Sequence, residues 1–411
     1  MVGRVVVTYH PLFDGRGFSP LAASWSRYRV AMDRMESLGI LDAADVECPP
    51  LVADADLLRS HSSAHLDVIR QGDANGRGTF ATSDTPAWRG IMSRARAAVG
   101  GTVHAARLVA SGEASHVFNP AGGLHHAMRD QARGFCPFND LAIAVDHLTC
   151  LGLPRVAIID VDAHHGDGTQ EILYDRDVLK VSLHQYDGKY FPGTGSMAEV
   201  GWGDGFGLSI NVPLPRRVGE AAYLDAFSAI VPTAVRAFAP DVMVLNFGVD
   251  GHYADRLSRL GLGVSTYRAI AASCHALAHE TCSGRLIVTG SGGYNPEAVG
   301  RCWSTLVATL TGALASPDGV VSRMLDEGTE ADRGYAVINL LGHPALWPFQ
   351  FAGLTDLPPS PDTASVEACG EMVKSVAAQV LPLRLTDPAR VPRAKTPSCP
   401  RASAPISWAN A

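Results

Sequence analysis

The chain has 411 residues, of which 46% are hydrophobic and 18% charged, so it is expected to fold around a sizeable core rather than to be disordered. Its formal net charge is −7, which argues against direct binding of DNA or RNA. No apolar run approaches the roughly 20 residues of a membrane-spanning helix, and Val5-Val6-Val7 is too short for a signal-peptide core, so we expect a cytoplasmic protein that does not bind membranes.

Short apolar runs alternate with helix-like stretches along the chain. The runs have the length of strands and are apolar on both faces, as in a parallel sheet covered by helices. They are Arg4–Tyr9, Ser115–Asn119, Arg155–Asp160, Val178–His184, Leu208–Val212, Val242–Phe247 and Leu286–Thr289. The intervening helix-like stretches are Ala87–Ala110, Phe138–Leu151, Glu220–Phe238, Ser265–Thr281 and Pro296–Thr311. The alternation predicts an α/β fold with a mainly parallel central sheet.

The end of the chain has a different composition. Residues 386–411 are rich in Pro, Arg, Ser and Ala and show no periodicity, which is typical of a flexible tail. We therefore predict one catalytic domain over residues 1–385, followed by that tail.

The most informative segment runs from Asp160 to Gly168 at the end of a predicted strand. Asp162 and His164 are two positions apart and project to one side if they lie at a strand end, and Asp250 after another strand is the natural third ligand. Three protein ligands and an open position are typical of catalytic zinc, although carboxylate ligands also let Fe²⁺ or Co²⁺ compete. A hydrogen-bonded structural cluster is the alternative interpretation.

Acid–base groups follow two further strands. His125 and His126 come after Gly122-Gly123-Leu124, and Asp160 and Asp167 are available to orient them, so different partners can separate their pKa values. Tyr294 follows two glycines and suits a donor to a developing oxyanion. Ordinary loop histidines and a core tyrosine are the alternatives.

At this point the motifs resemble a known family. Ala121-Gly122-Gly123-Leu124-His125-His126-Ala127-Met128, Gly134-Phe135-Cys136-Pro137-Phe138-Asn139-Asp140, Asp160 through Gly168, Ser182-Leu183-His184, Phe191-Pro192-Gly193-Thr194-Gly195, Gly248-Val249-Asp250 and Gly293-Tyr294 occur in the order of the histone deacetylase superfamily. The similarity runs from about His10 to Thr311 and is greatest to bacterial acetoin-utilisation deacetylases. It implies an arginase/deacetylase-like three-layer fold and hydrolysis of acetylated amines, above all acetyl-lysine of proteins, to acetate and the free amine.

The resemblance also assigns roles to individual residues. It implies that zinc is held by Asp162, His164 and Asp250. The implied acid–base and polarising groups are His125, His126, Asp160, Asp167 and Tyr294, with His126 as the general base. The implied substrate tunnel includes Gly134, Phe135, Phe191, Leu257 and Gly293, and Arg27 matches an arginine behind the acetate cavity. A structural K⁺ is implied at Asp160, Asp162, His164, Ser182 and Leu183.

The chain departs from the family pattern at Ser291, where glycine is usual, at Arg256, where proline is usual, and at Asn246-Phe247. A two-manganese ureohydrolase is one rival, but Gly166 stands where a further ligand would be needed, which favours one metal. A non-catalytic acetyl-binding protein is another rival. A third is an acetylpolyamine or other small acylamine hydrolase, for which Asp73 or Asp84 would supply an acidic rim.

Overall fold

The structure, a computed structural model, describes residues 3–15, 18, 27–313 and 360–383. Within these ranges eight strands form one sheet in which every neighbouring pair is parallel. The strands are β1 Val5–Thr8, β2 Asp45–Glu47, β3 His116–Asn119, β4 Val156–Asp160, β5 Leu179–Gln185, β6 Ser209–Leu214, β7 Val242–Asn246 and β8 Leu286–Thr289. Their order across the sheet is β2-β1-β3-β8-β7-β4-β5-β6.

Helices cover both faces of this sheet. They are α1 Arg27–Ser37, α2 Asp54–Leu57, α3 Ser63–Asn75, α4 Ile91–Ser111, α5 Asp140–Cys150, α6 Asp167–Ile172, α7 Gly219–Phe238, α8 Val264–Cys282, α9 Pro296–Leu310 and α10 Thr363–Gln379. Local chemistry defines several of their starts: the Asn139 side chain accepts a hydrogen bond from the Ala142 amide, and Asn295 caps α9 just before Pro296. None of the described helices is long and apolar enough to cross a bilayer.

Alternate residues of the central strands enter different hydrophobic cores. Ala157 and Ile159 of β4 point into the larger core, whereas Val156 and Ile158 point into the smaller core formed with α4 and α5. Helices α1, α9, α8 and α7 pack in succession over the other face, and α10 packs on α7. A sheet buried on both sides explains why its strands read as continuous apolar runs.

The predicted α/β class with a parallel sheet is confirmed. Each of the seven apolar runs overlaps a strand, and each of the five helix-like stretches overlaps a helix. The sequence analysis missed β2, which is a three-residue strand, Asp-Val-Glu, without an apolar run. It also missed the helices α1, α2, α3, α6 and α10. The predicted tail, 386–411, lies outside the described residues.

The loop that precedes α5 depends on a neutral histidine. His61 is 1% exposed, and its Nδ1 lies 3.0 Å from the carbonyl oxygen of Met128 while its Nε2 accepts from the Asn139 amide at 2.8 Å. Burial, together with the nearby His65, lowers the pKa of His61 to about 3. Since Nε2 must stay unprotonated to accept, the charged form breaks this link between residues 128 and 139.

We expect this histidine to make the fold acid-sensitive. Its pKa is lower in the folded chain than in the unfolded chain, so the unfolded state binds the proton first as pH falls below about 6.5. The free energy of unfolding then falls by up to about 1.4 kcal/mol per pH unit until pH approaches the folded pKa. The His61→Gln side chain keeps a donor and an acceptor but does not titrate. Between pH 7 and pH 4, the free energy of unfolding of this variant should therefore decline less steeply than that of wild type. Urea titration at fixed metal concentration measures both. Equal slopes for the two proteins would contradict this assignment.

Candidate metal and acid–base site

The predicted ligands meet where two neighbouring strands end. Asp162 and His164 follow β4, Asp250 follows β7, and one ligand atom of each lies within 4.8 Å of the other two. The Nδ1 atom of His164 is 2.8 Å from Oδ2 of Asp250 and 3.1 Å from Oδ1 of Asp162. All three side chains are buried. The structure therefore brings the three predicted ligands together as one cluster.

This cluster carries an excess of negative charge. Burial lowers the pKa of His164, but Asp250 and Asp162 more than reverse that effect and raise it to about 10. The pKa of Asp250 is raised by burial and by the charge of Asp162. Two buried carboxylates cost several kcal/mol unless they are compensated, and the two-oxygen, one-nitrogen donor set suits a divalent ion such as zinc.

Main-chain donors on the neighbouring turns hold the carboxylates. The amide of Gly292 donates to Asp162 Oδ2 at 2.8 Å, and the amide of Ala163 donates to Asp250 Oδ1 at 2.8 Å. A side chain at Gly292 would collide with both carboxylates, so glycine is required there. The hydroxyl of Ser291 lies 2.9 Å from Asp162 Oδ2 and 3.0 Å from the carbonyl oxygen of Gly123. The serine that departs from the family pattern thus adds a donor to a predicted metal ligand.

The far side of the His164 ring is held by a residue that the sequence analysis missed. The hydroxyl of Tyr190 lies 2.8 Å from His164 Nε2 and donates to the Leu257 carbonyl at 2.9 Å. Because that hydroxyl has only one proton, His164 must donate from Nε2 to the tyrosine oxygen. Nδ1 is then the ring atom that faces the carboxylates, and a divalent ion bound there in place of a proton would leave the ring neutral.

The histidine pair lies beside the cluster, and each ring has its own carboxylate. His125 Nδ1 is 2.8 Å from Asp160 Oδ2, and His126 Nδ1 is 2.7 Å from Asp167 Oδ1. Arg133 also contacts Asp167, at 2.9 Å. The two imidazoles are 4.1 Å apart between centroids. Asp160 and Asp167 therefore lie where the sequence analysis placed them, behind the two histidines.

The environments of the two rings separate their pKa values. Burial disfavours the charged form of His125, but Asp160 and Asp162 outweigh it and raise the pKa to about 9. Burial and the neighbouring His125 lower the pKa of His126 to about 4. The carboxylates around His125 therefore favour its charged form and the surroundings of His126 favour the neutral form, a separation that can supply an acid and a base.

The tyrosine and the arginine predicted around the site share one cavity with the histidine pair. A cavity of about 50 Å³ is lined by Tyr294, His125, His126, Asp162 and Arg27, among others. Arg27 is buried, and its Nη1 donates to the Gly293 carbonyl at 2.7 Å. Gly293, which was predicted to bind substrate, therefore has its carbonyl bound to Arg27. The Tyr294 amide donates to Asp255 Oδ2 at 2.7 Å, which fixes the turn that carries the phenol.

The predicted aromatic walls are half-buried beside these groups. Phe135 has a φ of 65°, and its ring lies 5.8 Å from that of Tyr294. Its amide donates to Thr85 Oγ1 at 3.1 Å, which helps to hold the strained conformation. A side chain at Gly134 would collide with His126, so that glycine allows the loop to approach the histidine. Phe191 lies 4.9 Å from the His126 ring, so both walls adjoin catalytic candidates.

Two acidic residues considered for the substrate rim have other partners. Asp73 accepts from the amides of Gly90 and Met92 at the start of α4, at 2.7 and 3.2 Å. Asp84 accepts from the Gly134 amide at 3.2 Å and from Thr85 Oγ1 at 2.8 Å. The structure therefore uses both carboxylates to hold loops, which weakens the argument for an acidic rim.

Comparisons with known proteins agree with this geometry. A family model described as the histone deacetylase domain matches residues 22–310. The acetoin utilization protein AcuC of Bacillus subtilis is 35% identical over 72% of this chain and 80% of its own length. A histone deacetylase-like amidohydrolase of Pseudomonas aeruginosa is 35% identical over 71% of this chain and 78% of its own. The crystal structure of the HDA15 HD domain matches with a TM-score of 0.69 at 26% identity, covering 83% of this chain and 99% of that one.

The contact between Tyr190 and His164 generates a prediction about metal affinity. Tyr190→Phe removes the acceptor for Nε2–H, so we expect the affinity for Zn²⁺ or Co²⁺ to fall roughly 10- to 100-fold. Competition with a chromophoric chelator measures this without relying on turnover. Tyr186→Phe is the matched control, since Tyr186 lies in the same segment and its ring contacts His184 instead. If both variants retained wild-type affinity, Tyr190 would not orient the ligand.

Proposed function

Because this chain belongs to the histone deacetylase family and is a hydrolytic deacetylase, we propose that it removes acetyl groups from acetyl-lysine side chains of proteins, with zinc as its metal. The observation that carries the proposal is the convergence of Asp162, His164 and Asp250 beside two carboxylate-bound histidines. A structural cluster would explain the buried charges but not an adjoining cavity that reaches His125, His126 and Tyr294.

The donor set also bears on the choice of metal. When bound, a divalent ion supplies Lewis-acid activation of water and of the acyl carbonyl. Two carboxylates and one imidazole suit Zn²⁺, and they leave Fe²⁺ and Co²⁺ as competitors. A structural K⁺ near Asp160 and Ser182 stays a prediction. Both carboxylate oxygens of Asp160 already accept hydrogen bonds from protein groups. The Oγ atom of Ser182 lies 2.9 Å from Nδ1 of His184.

The chain's own residues divide the proton transfers between them. Neutral His126 accepts a proton from the attacking water, and Asp167 holds its other nitrogen and stabilises the imidazolium that forms. The imidazolium of His125, paired with Asp160, stabilises negative charge near the reacting carbonyl. The Tyr294 hydroxyl donates to the developing oxyanion. Protonated His126 then returns its proton to the departing amine, and acetate remains next to the buried cationic Arg27.

Phe135 and Phe191 offer aromatic surface to the aliphatic stem that acetyl-lysine and acetylpolyamines share. Positive charge on the surface favours lysine side chains on proteins over acetylpolyamines. A surface pocket of about 330 Å³ is lined by Arg216, Arg217 and Arg259, the last of which follows Leu257 by two residues. Guanidinium groups repel a polycation, whereas acidic residues flanking an acetyl-lysine would pair with them. The formal net charge of −7 argues against nucleic acid as the partner of the whole chain.

A substrate panel tests this proposal. The purified, zinc-loaded chain should release acetate from acetyl-lysine peptides, with higher kcat/KM when the flanking residues are acidic, and much more slowly from acetylpolyamines. Release of urea from arginine or agmatine is not expected, because a side chain at Gly166 would collide with Asp160 and so no further ligand fits there. A preference for acetylpolyamines would replace the protein-substrate proposal, and acetate release from none of these compounds would contradict both.

The oxyanion role of Tyr294 yields a separate kinetic prediction. Tyr294→Phe should lower kcat by about 10²–10³-fold, the usual effect of losing one oxyanion donor, with little change in KM. Tyr174→Phe, on a half-buried tyrosine in the loop after α6, serves as the control. Bound metal measured by elemental analysis should be the same in both variants. Unchanged turnover in Tyr294→Phe would remove the phenol from the mechanism.

A further inference from the structure

We propose that His116, His275 and His279 form a second binding site, for a divalent transition-metal ion such as Zn²⁺, Ni²⁺ or Cu²⁺. One ring nitrogen of each lies within 4.8 Å of the others, the same closeness that joins the deacetylase ligands. The ring centroids are 4.7 Å apart for His116 and His275, 5.1 Å apart for His116 and His279, and 4.7 Å apart for His275 and His279. The cluster shares no residue with the catalytic site.

The fold places this cluster at the amino ends of the strands, away from the deacetylase site at their carboxyl ends. His116 is the first residue of β3, whereas the catalytic groups follow the carboxyl ends of the strands. His275 and His279 are four residues apart on α8, so both rings lie on one helix face. An i, i+4 histidine pair on a helix can hold one ion. The turn after α8 leads into β8, which pairs with β3 at His116 and Leu286 and so fixes the helix pair against the strand histidine.

A glycine beside the cluster leaves room for the ring of His279. Gly284 follows α8 with a φ of 80°, and a Cβ there would lie 2.9 Å from Cε1 of His279. A contact that close would displace the imidazole from its partners. The tight turn therefore both returns the chain to β8 and allows His279 to approach His116 and His275.

The buried histidine supplies the independent reason to expect a ligand. His116 is 0% exposed, and neither of its ring nitrogens has a hydrogen-bond partner of normal geometry among the described residues. A buried polar group without a partner costs about 1–3 kcal/mol, so it calls for an explanation. A metal ion among the three rings would coordinate one of these nitrogens.

The protonation state of His116 suits a ligand. Burial and the two neighbouring imidazoles lower the pKa of His116 to about 3, against an opposing effect of the Gly284 and Ser115 carbonyls. Its ring is therefore neutral at pH 7, which is the form that binds metals. The Nε2 atoms of His275 and His279 are 3.2 Å apart and share a hydrogen bond that an ion would replace.

The donor set and exposure define the kind of ion. Three imidazoles favour Zn²⁺, Ni²⁺ and Cu²⁺ over Mg²⁺ or Ca²⁺, which prefer oxygen ligands. Exposure increases from His116, which is buried, through His275 to His279, which is exposed. An ion can therefore enter from the His279 side, where a fourth position stays open to solvent.

Counting ions in the full-length chain tests the proposal. Wild-type protein titrated with Zn²⁺ or Ni²⁺ by calorimetry and checked by elemental analysis should bind two ions, and His279→Ala should bind one while keeping its deacetylase activity. His275→Ala should behave likewise, and His104→Ala, on α4 outside both clusters, should bind two. In an Asp250→Asn background, Cu²⁺ should give an electron paramagnetic resonance spectrum with nitrogen couplings that His279→Ala removes.

The outcomes separate this site from the catalytic one. The proposal is overturned if wild type and His279→Ala bind equal numbers of ions with equal affinity, because the rings would then only pack against one another. Loss of deacetylase activity in His279→Ala would overturn the independence of the two sites. Failure of the acetate-release assay in every protein would contradict the proposed function but leave the ion counts of the His116 cluster interpretable.

Discussion

Burying the carboxylates of Asp162 and Asp250 against one imidazole is the constraint from which the rest of the catalytic site follows. Charged oxygens inside a protein require donors or a cation, and the surrounding chain provides the donors that geometry allows. The amides of Gly292 and Ala163 each point to one carboxylate, and Ser291 adds a hydroxyl. These donors do not offset all of the negative charge, and the remainder favours binding of a divalent ion.

The parallel sheet makes such a concentration of charge possible. Because all strands run in the same direction, the ends of β4, β7 and β8 place three turns side by side. These three strands are apolar up to their last residues, Asp160, Asn246 and Thr289, so the polar groups are confined to the strand ends and the turns that follow. The same arrangement accounts for the close approach of Gly134 to His126 and of Gly292 to the carboxylates, where any side chain would occupy the space of a ligand or a base.

The sequence predicted the parts of the molecule whose signals are local or strongly patterned. Buried strands read as apolar runs, and Asp162, His164 and Asp250 stand directly after such runs. Tyr190 was missed because its role depends on a contact with His164 26 residues away and on the Leu257 carbonyl, neither of which has a local pattern. The amide partners of Asp73 and Asp84 are likewise distant in sequence and have no local pattern. The strand β2 was missed because an exposed three-residue edge strand lacks the apolar signal.

The two histidine-containing clusters differ in a way that bears on metal selection. In the catalytic cluster two carboxylates and one imidazole offset the charge of a divalent ion, and deep burial makes that neutralisation energetically important. In the His116 cluster three imidazoles leave the ion's charge in place, and this is tolerable only because His279 opens to solvent. Nitrogen-only donors strengthen the preference for Ni²⁺ and Cu²⁺, whereas carboxylates moderate it. We therefore expect the His116 cluster to compete best for the ions that would displace the proposed zinc from the Asp162, His164 and Asp250 cluster.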